Sequence, residues 1–88
     1  MRVTVVKGSW DSRIHNTTKR KYIVGSSSSD CKSYMESSFS SWVKPEYINY
    51  STMGDIDIID TGFQGDEAIR RYFNISSDEH LSFTDSLR

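Results

Sequence analysis

Residues 47–59, YINYSTMGDIDII, decide how many strands the chain has and which way they run. Tyr47 and Asn49 alternate with Ile48 and Tyr50, and Ile56 and Ile58 alternate with Asp57 and Ile59, the period-two pattern of an extended chain. Thr52-Met53-Gly54 between them is short enough to reverse the chain. The stretch therefore reads as a hairpin of two antiparallel strands, the second ending near Thr61-Gly62.

Upstream, Pro45 closes a helix predicted over residues 30–44, because the residue before a proline is pushed out of the helical region. At helical spacing Cys31, Met35, Phe39, Trp42 and Val43 fall on one face with Tyr34 at its flank. Ser33, Glu36, Ser37, Ser40, Ser41 and Lys44 fill the opposite side. Ser29 or Asp30 supplies the N-cap, since a short side-chain oxygen there accepts from unpaired backbone amides. The preceding GSSSSD, residues 25–30, lacks the second glycine and the lysine of a Walker loop and reads as a flexible turn.

Further upstream, residues 2–6 are β-branched and predict a strand, buried on both faces if Val5 and Val6 both pack. Residues 8–18, GSWDSRIHNTT, read as a polar loop anchored by Trp10 and Ile14. Residues 21–25 form a second strand, antiparallel to the first. Downstream, residues 66–73 predict a short helix with Ile69, Tyr72 and Phe73 as its apolar face. Its first turn carries Asp66 and Glu67 and its last Arg70 and Arg71, the order that complements the helix dipole. Residues 76–88 have a capping-box match, Ser76 to Glu79, but only Leu81, Phe83 and Leu87 to bury, and read as a flexible tail.

The expected fold is thus α+β, one domain over residues 1–75 with element order β-β-α-β-β-α. A mostly antiparallel four-stranded sheet packs on the single amphipathic helix 30–44, beside the short helix 66–73. With 88 residues there is room for one small core, and eleven aromatic residues argue that it packs rather than stays disordered. One cysteine forms no internal disulfide, and Cys31 on an apolar stripe reads as a reduced, buried thiol in a cytoplasmic protein. No stretch approaches the ~20 apolar residues of a membrane span.

The net charge of −1 hides an uneven distribution. Residues 1–44 hold eight Lys/Arg against three Asp/Glu, and residues 45–88 hold three against nine. The cations concentrate at Lys19, Arg20 and Lys21, with Lys7 and Arg13 within reach across the strand pair and Trp10 and Tyr22 as aromatic company. Alternation puts Lys19 and Lys21 on one side and Arg20 on the other. Basic strands with interleaved aromatics grip single-stranded nucleic acid by neutralising phosphates and stacking bases. Lysines on an edge strand also simply prevent aggregation.

Two other surfaces compete with that one. Asp55, Asp57, Asp60, Asp66 and Glu67 form an acidic set that would fit a partner's basic groove as a nucleic-acid mimic does. Ser33, Ser37, Ser40 and Ser41 leave a smooth, nearly uncharged helix face suited to close approach, a homodimer among the options. Chemistry is poorly provided for. Asp55 and Asp57 have no local His or Glu to complete a metal site, and one cysteine with two distant histidines fails for zinc. His15 and His80 would suit acid/base cleavage of RNA beside Lys19 or Lys21, but nothing local joins them. The expectation is a small non-enzymatic regulator or inhibitor, of the kind phages and mobile elements encode. It takes no cofactor or metal and binds RNA or a single strand through the basic strand and loop, or else a host protein.

Overall fold

Two adjacent valines explain the layering. Val5 and Val6 point to opposite faces of one strand, and both are fully buried, so that strand lies between two cores. The computed structural model describes residues 2–12, 16–38, 48–58 and 64–87. Its elements are β1 (Arg2–Ser12), β2 (Thr17–Gly25), α1 (Ser28–Ser38), β3 (Asn49–Asp57), α2 (Gln64–Phe73) and β4 (Leu81–Phe83), followed by a 3₁₀ turn at Asp85–Leu87. They form a small α+β fold with four strands in the order β3-β1-β2-β4. β1 pairs antiparallel with β2 and β3, whereas β4 lies parallel to β2, so the sheet is mixed rather than mostly antiparallel. The element order is β-β-α-β-α-β.

The two departures from the expected order have separate causes. Residues 49–57 make one continuous strand, not a hairpin: Gly54 pairs with Val5 and Thr52 with Val6, leaving Met53 as the extra residue of a β-bulge. Gly54 takes a φ of +142°, which side chains rarely adopt, so the glycine that suggested a turn serves the bulge instead. The bulge also reverses which side chains face which layer. Before it Ile48 packs in the cluster under α1; after it Ile56 pairs with Val3 and joins Ile58 in the cluster under α2. One strand supplies both cores.

The fourth strand comes from the stretch expected to be a flexible tail. Tyr22 N donates to His80 O at 3.0 Å and Thr84 N to Val24 O at 2.9 Å, bracketing the parallel register of β4 on β2. Leu81, Phe83 and Leu87 then pack against Val3, Val5, Tyr22, Val24, Ile58, Ile69 and Ile75. The sheet is therefore covered on both faces, not one. Among the described residues the opposite cluster is Val6, Ile23, Cys31, Met35 and Ile48. Gly8 belongs to that face, where a Cβ would lie 2.0 Å from Met35 Sδ, so α1 sits directly on the β1 backbone.

Local chemistry accounts for the helix ends. Ser27, rather than Ser29 or Asp30, is the N-cap of α1: its hydroxyl accepts from Asp30 N at 3.1 Å. The Asp30 carboxylate turns back to accept from Ser26 N at 3.2 Å and from the Thr84 hydroxyl at 2.7 Å, fastening the helix start to the end of β4. Residues Phe39, Trp42 and Val43, expected to extend the stripe, lie outside the described residues. α2 ends in a Schellman motif. Asn74 adopts φ 58°, Ile75 N donates to Arg70 O at 2.8 Å and Asn74 N to Arg71 O at 3.4 Å, while Ile75 is buried.

Candidate nucleic-acid interface

Residues 8–12 and 17–18, expected to be loop, extend β1 and, together with Lys19 and Arg20, β2 as a regular ladder. Lys7 lies opposite Tyr22, Gly8 opposite Lys21, Ser9 opposite Arg20, Trp10 opposite Lys19 and Asp11 opposite Thr18. Opposed residues share a face. The α1 side of this ladder therefore carries Trp10, Lys19 and Lys21, and the α2 side carries Lys7, Arg20 and Tyr22. Of the seven residues proposed from sequence, six divide three and three between the faces, and Arg13 lies outside the described residues.

Their surroundings differ as much as their faces. Lys19 is exposed and forms no ion pair among the described residues; Lys21 is half-buried. Trp10, also half-buried, leans on the cluster of Val6, Ile23, Met35 and Ile48. Tyr22 is only 9% exposed and packs in the core under α2, so its ring offers no stacking surface. On the α1 side two further residues join the aromatic and basic set without a local sequence signal. Lys32 Nζ lies 5.6 Å from the centre of the Tyr50 ring, and Tyr50 Oη donates to Glu36 Oε1 at 3.4 Å. Burial, then the Glu36 charge and hydrogen bond, push the Tyr50 phenol up to about 12.

Arg20 has a carboxylate partner. Its Nε donates to Glu79 Oε1 at 2.8 Å and its Nη2 reaches the same oxygen. The hydrogen bond and then the charge of Glu79 raise the guanidinium, and the same hydrogen bond holds the Glu79 carboxyl below the usual range. Glu79, expected to close a capping box with Ser76, turns its carboxylate to Arg20. Ser76 Oγ bonds Asp78, and Arg70 gathers the turn by donating to Ser76 O at 2.6 Å, to Glu79 O at 3.0 Å and to Asp66 Oδ1 at 2.6 Å. Fifty-nine residues separate Arg20 from Glu79, so no local pattern signals the pair.

The acidic set does not assemble into one face. Asp55 accepts from the Thr4 hydroxyl at 2.7 Å and lies 3.8 Å from Arg2 Nε, on the α1 side of the edge strand β3; Asp57 is opposite Arg2. Asp66 and Glu67 belong to α2, across the sheet, and pair at one-turn spacing with Arg70 and Arg71, at 2.6 and 2.5 Å. Asp60 lies outside the described residues. Of the serine face, Ser33 and Ser37 are exposed, Ser37 bonding back to Tyr34 O at 2.9 Å, and Ser40 and Ser41 lie outside the described residues.

Reactive groups are dispersed. Cys31 is fully buried, its thiol directed at the Thr4 and Ile23 carbonyls at 3.5 Å, and burial followed by the Asp30 charge pushes it up to about 11. His80 Nε2 lies 2.9 Å from Ser82 Oγ, and His15 is outside the described residues. Among the described residues no three His, Cys, Asp or Glu side chains gather to hold a metal ion. No helix among them is long and apolar enough to cross a membrane. No family model, curated protein or solved structure matches the chain.

Proposed function

We propose that this protein is a small, non-enzymatic regulatory or inhibitory protein of the cytoplasm that binds nucleic acid through the basic β1–β2 ladder. The observation that supports it is the placement of Lys19 and Lys21 beside Trp10 on one face, with Lys19 exposed and unpaired by any described carboxylate. The ligand attracted by that face is a phosphate backbone, with RNA or a single strand as the polymer the sequence favours. The competing mimic reading has less behind it, since Asp66 and Glu67 are engaged by Arg70 and Arg71 and Asp55 lies near Arg2.

Fluorescence anisotropy against labelled RNA, single-stranded DNA and duplex DNA tests the reading. The wild-type protein is expected to bind at least one of them, with affinity falling steeply as salt rises. Lys19→Glu with Lys21→Glu is expected to abolish binding while leaving the melting temperature within a few degrees. A flat salt response, or full binding by the double variant, rejects it.

A further inference from the structure

The cationic side of β2 continues onto β4. The two strands run parallel with Ile23 level with Ser82, and level side chains share a face, so Ser82 lies on the α1 side with Ile23. One step above the Tyr22 and Leu81 pair, the bond from Tyr22 N to His80 O brings His80 level with Lys21. Ser82 holds the His80 ring on that same side, with Nε2 2.9 Å from Ser82 Oγ. Lys19, Lys21, His80 and Ser82 therefore form one strip beside α1, while Arg20 meets Glu79 from the α2 side. Lys19 and His80 are exposed, and Lys21 and Ser82 are half-buried.

We infer that this strip carries the phosphate backbone of the nucleic acid from β2 across to β4, with His80 as a cation switched on by a proton and Ser82 as its hydrogen-bonding neighbour. The inference rests on the nucleic-acid reading above and adds two residues and a pH control to that site. Neighbouring strands lie about 4.8 Å apart, so one phosphate is within reach of both Lys21 and His80; Lys19, about 7 Å further along β2, meets the next. An imidazole ordinarily gains a proton between pH 8 and pH 5. Once it does, Nε2–H can only donate to Ser82 Oγ, and the serine hydroxyl proton is left to a phosphate oxygen. One proton thus adds a charge and frees a donor.

The other ionisable groups around the ring are accounted for. Lys19 and Lys21 face it from β2. On α1, Asp30 and Tyr34 occupy the flank turned to β4, because Asp30 bonds Thr84 and Tyr34 follows one turn later; Lys32 and Glu36 lie on the opposite flank with Tyr50. Asp30 is directed at Ser26 N and the Thr84 hydroxyl, at the far end of β4. Arg70 of α2 is directed at Asp66 and at the Ser76 and Glu79 carbonyls. On the turn itself, hydrogen bonds from Ser76 and Arg20 hold the Asp78 and Glu79 carboxyls below the usual range, so both keep their charge down to pH 5. That fixed negative charge weakens the pull on phosphate at this end until the ring is protonated.

The experiment measures anisotropy of labelled single-stranded RNA, single-stranded DNA and duplex DNA at pH 8.0 and pH 5.5, with a salt titration at each pH. The wild-type protein is expected to bind its preferred polymer about tenfold more tightly at pH 5.5, with a salt slope steeper by roughly 0.7–0.9. His80→Gln should keep the pH 8.0 affinity and lose the acid gain. His80→Lys should bind at pH 8.0 about as tightly as the wild type does at pH 5.5, a gain that misfolding cannot produce. Ser82→Ala should match the wild type at pH 8.0 and bind about threefold more weakly at pH 5.5; no difference there overturns the part given to the serine. Equal wild-type affinity at the two pH values, an acid gain retained by His80→Gln, or no gain at pH 8.0 in His80→Lys overturns the His80 assignment and leaves nucleic-acid binding standing. Failure of all three polymers to bind at either pH overturns both.

Discussion

The two ends of the β1–β2 ladder are built from the same strands and share the same register, yet they have opposite fates. At the end that holds Val3, Val5, Val6, Ile23 and Val24, every one of these side chains is buried and both faces are covered. Beyond Gly8 and Lys21 the same strands turn to Trp10, Asp11, Thr17, Thr18, Lys19 and Arg20, and all of these are exposed or half-exposed. The pairing of β1 with β2 runs unbroken through both ends, so it does not by itself distinguish them. Side-chain chemistry does: one end stabilises the fold by burying apolar area, and the other spends its residues on charge that water or a ligand must satisfy.

That contrast is tested most severely along β2 itself. Ile23 and Lys19 share a face of one strand, so Ile23→Ala is expected to lower the unfolding free energy by ~2–5 kcal/mol, whereas Lys19→Ala should stay within ~0.5 kcal/mol. Urea titration of both variants measures the difference, and equal losses would erase the distinction. Next in size is the boundary residue Gly8. Its added Cβ would press on Met35 Sδ and Cε, so Gly8→Ala is expected to cost ~1–3 kcal/mol, moderated by the flexibility of the methionine. An unchanged midpoint would mean that α1 does not seat on β1 at that point. Removing the cap at the buried end, Ser27→Ala, should cost about 1 kcal/mol and leave binding untouched, read from thermal melts and anisotropy on the same sample.

The smallest expected effect belongs to Glu79, the carboxylate that fixes Arg20 where the two ends meet. Its folded-state carboxyl is lowered, so the stability it contributes is present above the ordinary carboxylate range near ~4.3 and is lost as pH falls through the lowered value. A melting-temperature profile from pH 7 to pH 2 should fall less on the acid side in Glu79→Gln than in the wild type. Identical profiles would show that the pair adds nothing.

Much of this was legible in residues whose neighbours in sequence are also their neighbours in space. The β-branched run of residues 2–6, the polarity of the helix now seen to begin at Ser28, and the acidic-to-basic order of α2 all report local geometry. The split of Lys19 and Lys21 from Arg20 was readable for the same reason. What escaped depends on distance or on ambiguity. Gly54 supplies a positive φ, which a turn and a bulge both require, and the residues after it alternate equally well in either. β4 is three residues long and parallel to β2, so no nearby turn announces it. Tyr22 looked like a stacking ring because aromatic type is visible in sequence and burial is not. Glu79 matched a capping pattern because Ser76 stands three residues before it, while the partner that holds it, Arg20, is far away in the chain.

The bulge at Met53 also bears on how the chain behaves in a crowd. β3 is the outer strand of the sheet, and among the described residues no other strand pairs with its far side. A long, flat outer strand is a template on which further copies can stack without limit. Here the extra residue breaks the regular ladder midway, and the exposed carboxylates Asp55 and Asp57 follow directly after it. Like charges would have to meet, and a kinked backbone would have to match, before two such edges could join. The residue that lets one strand serve two cores thereby also works against fibre formation.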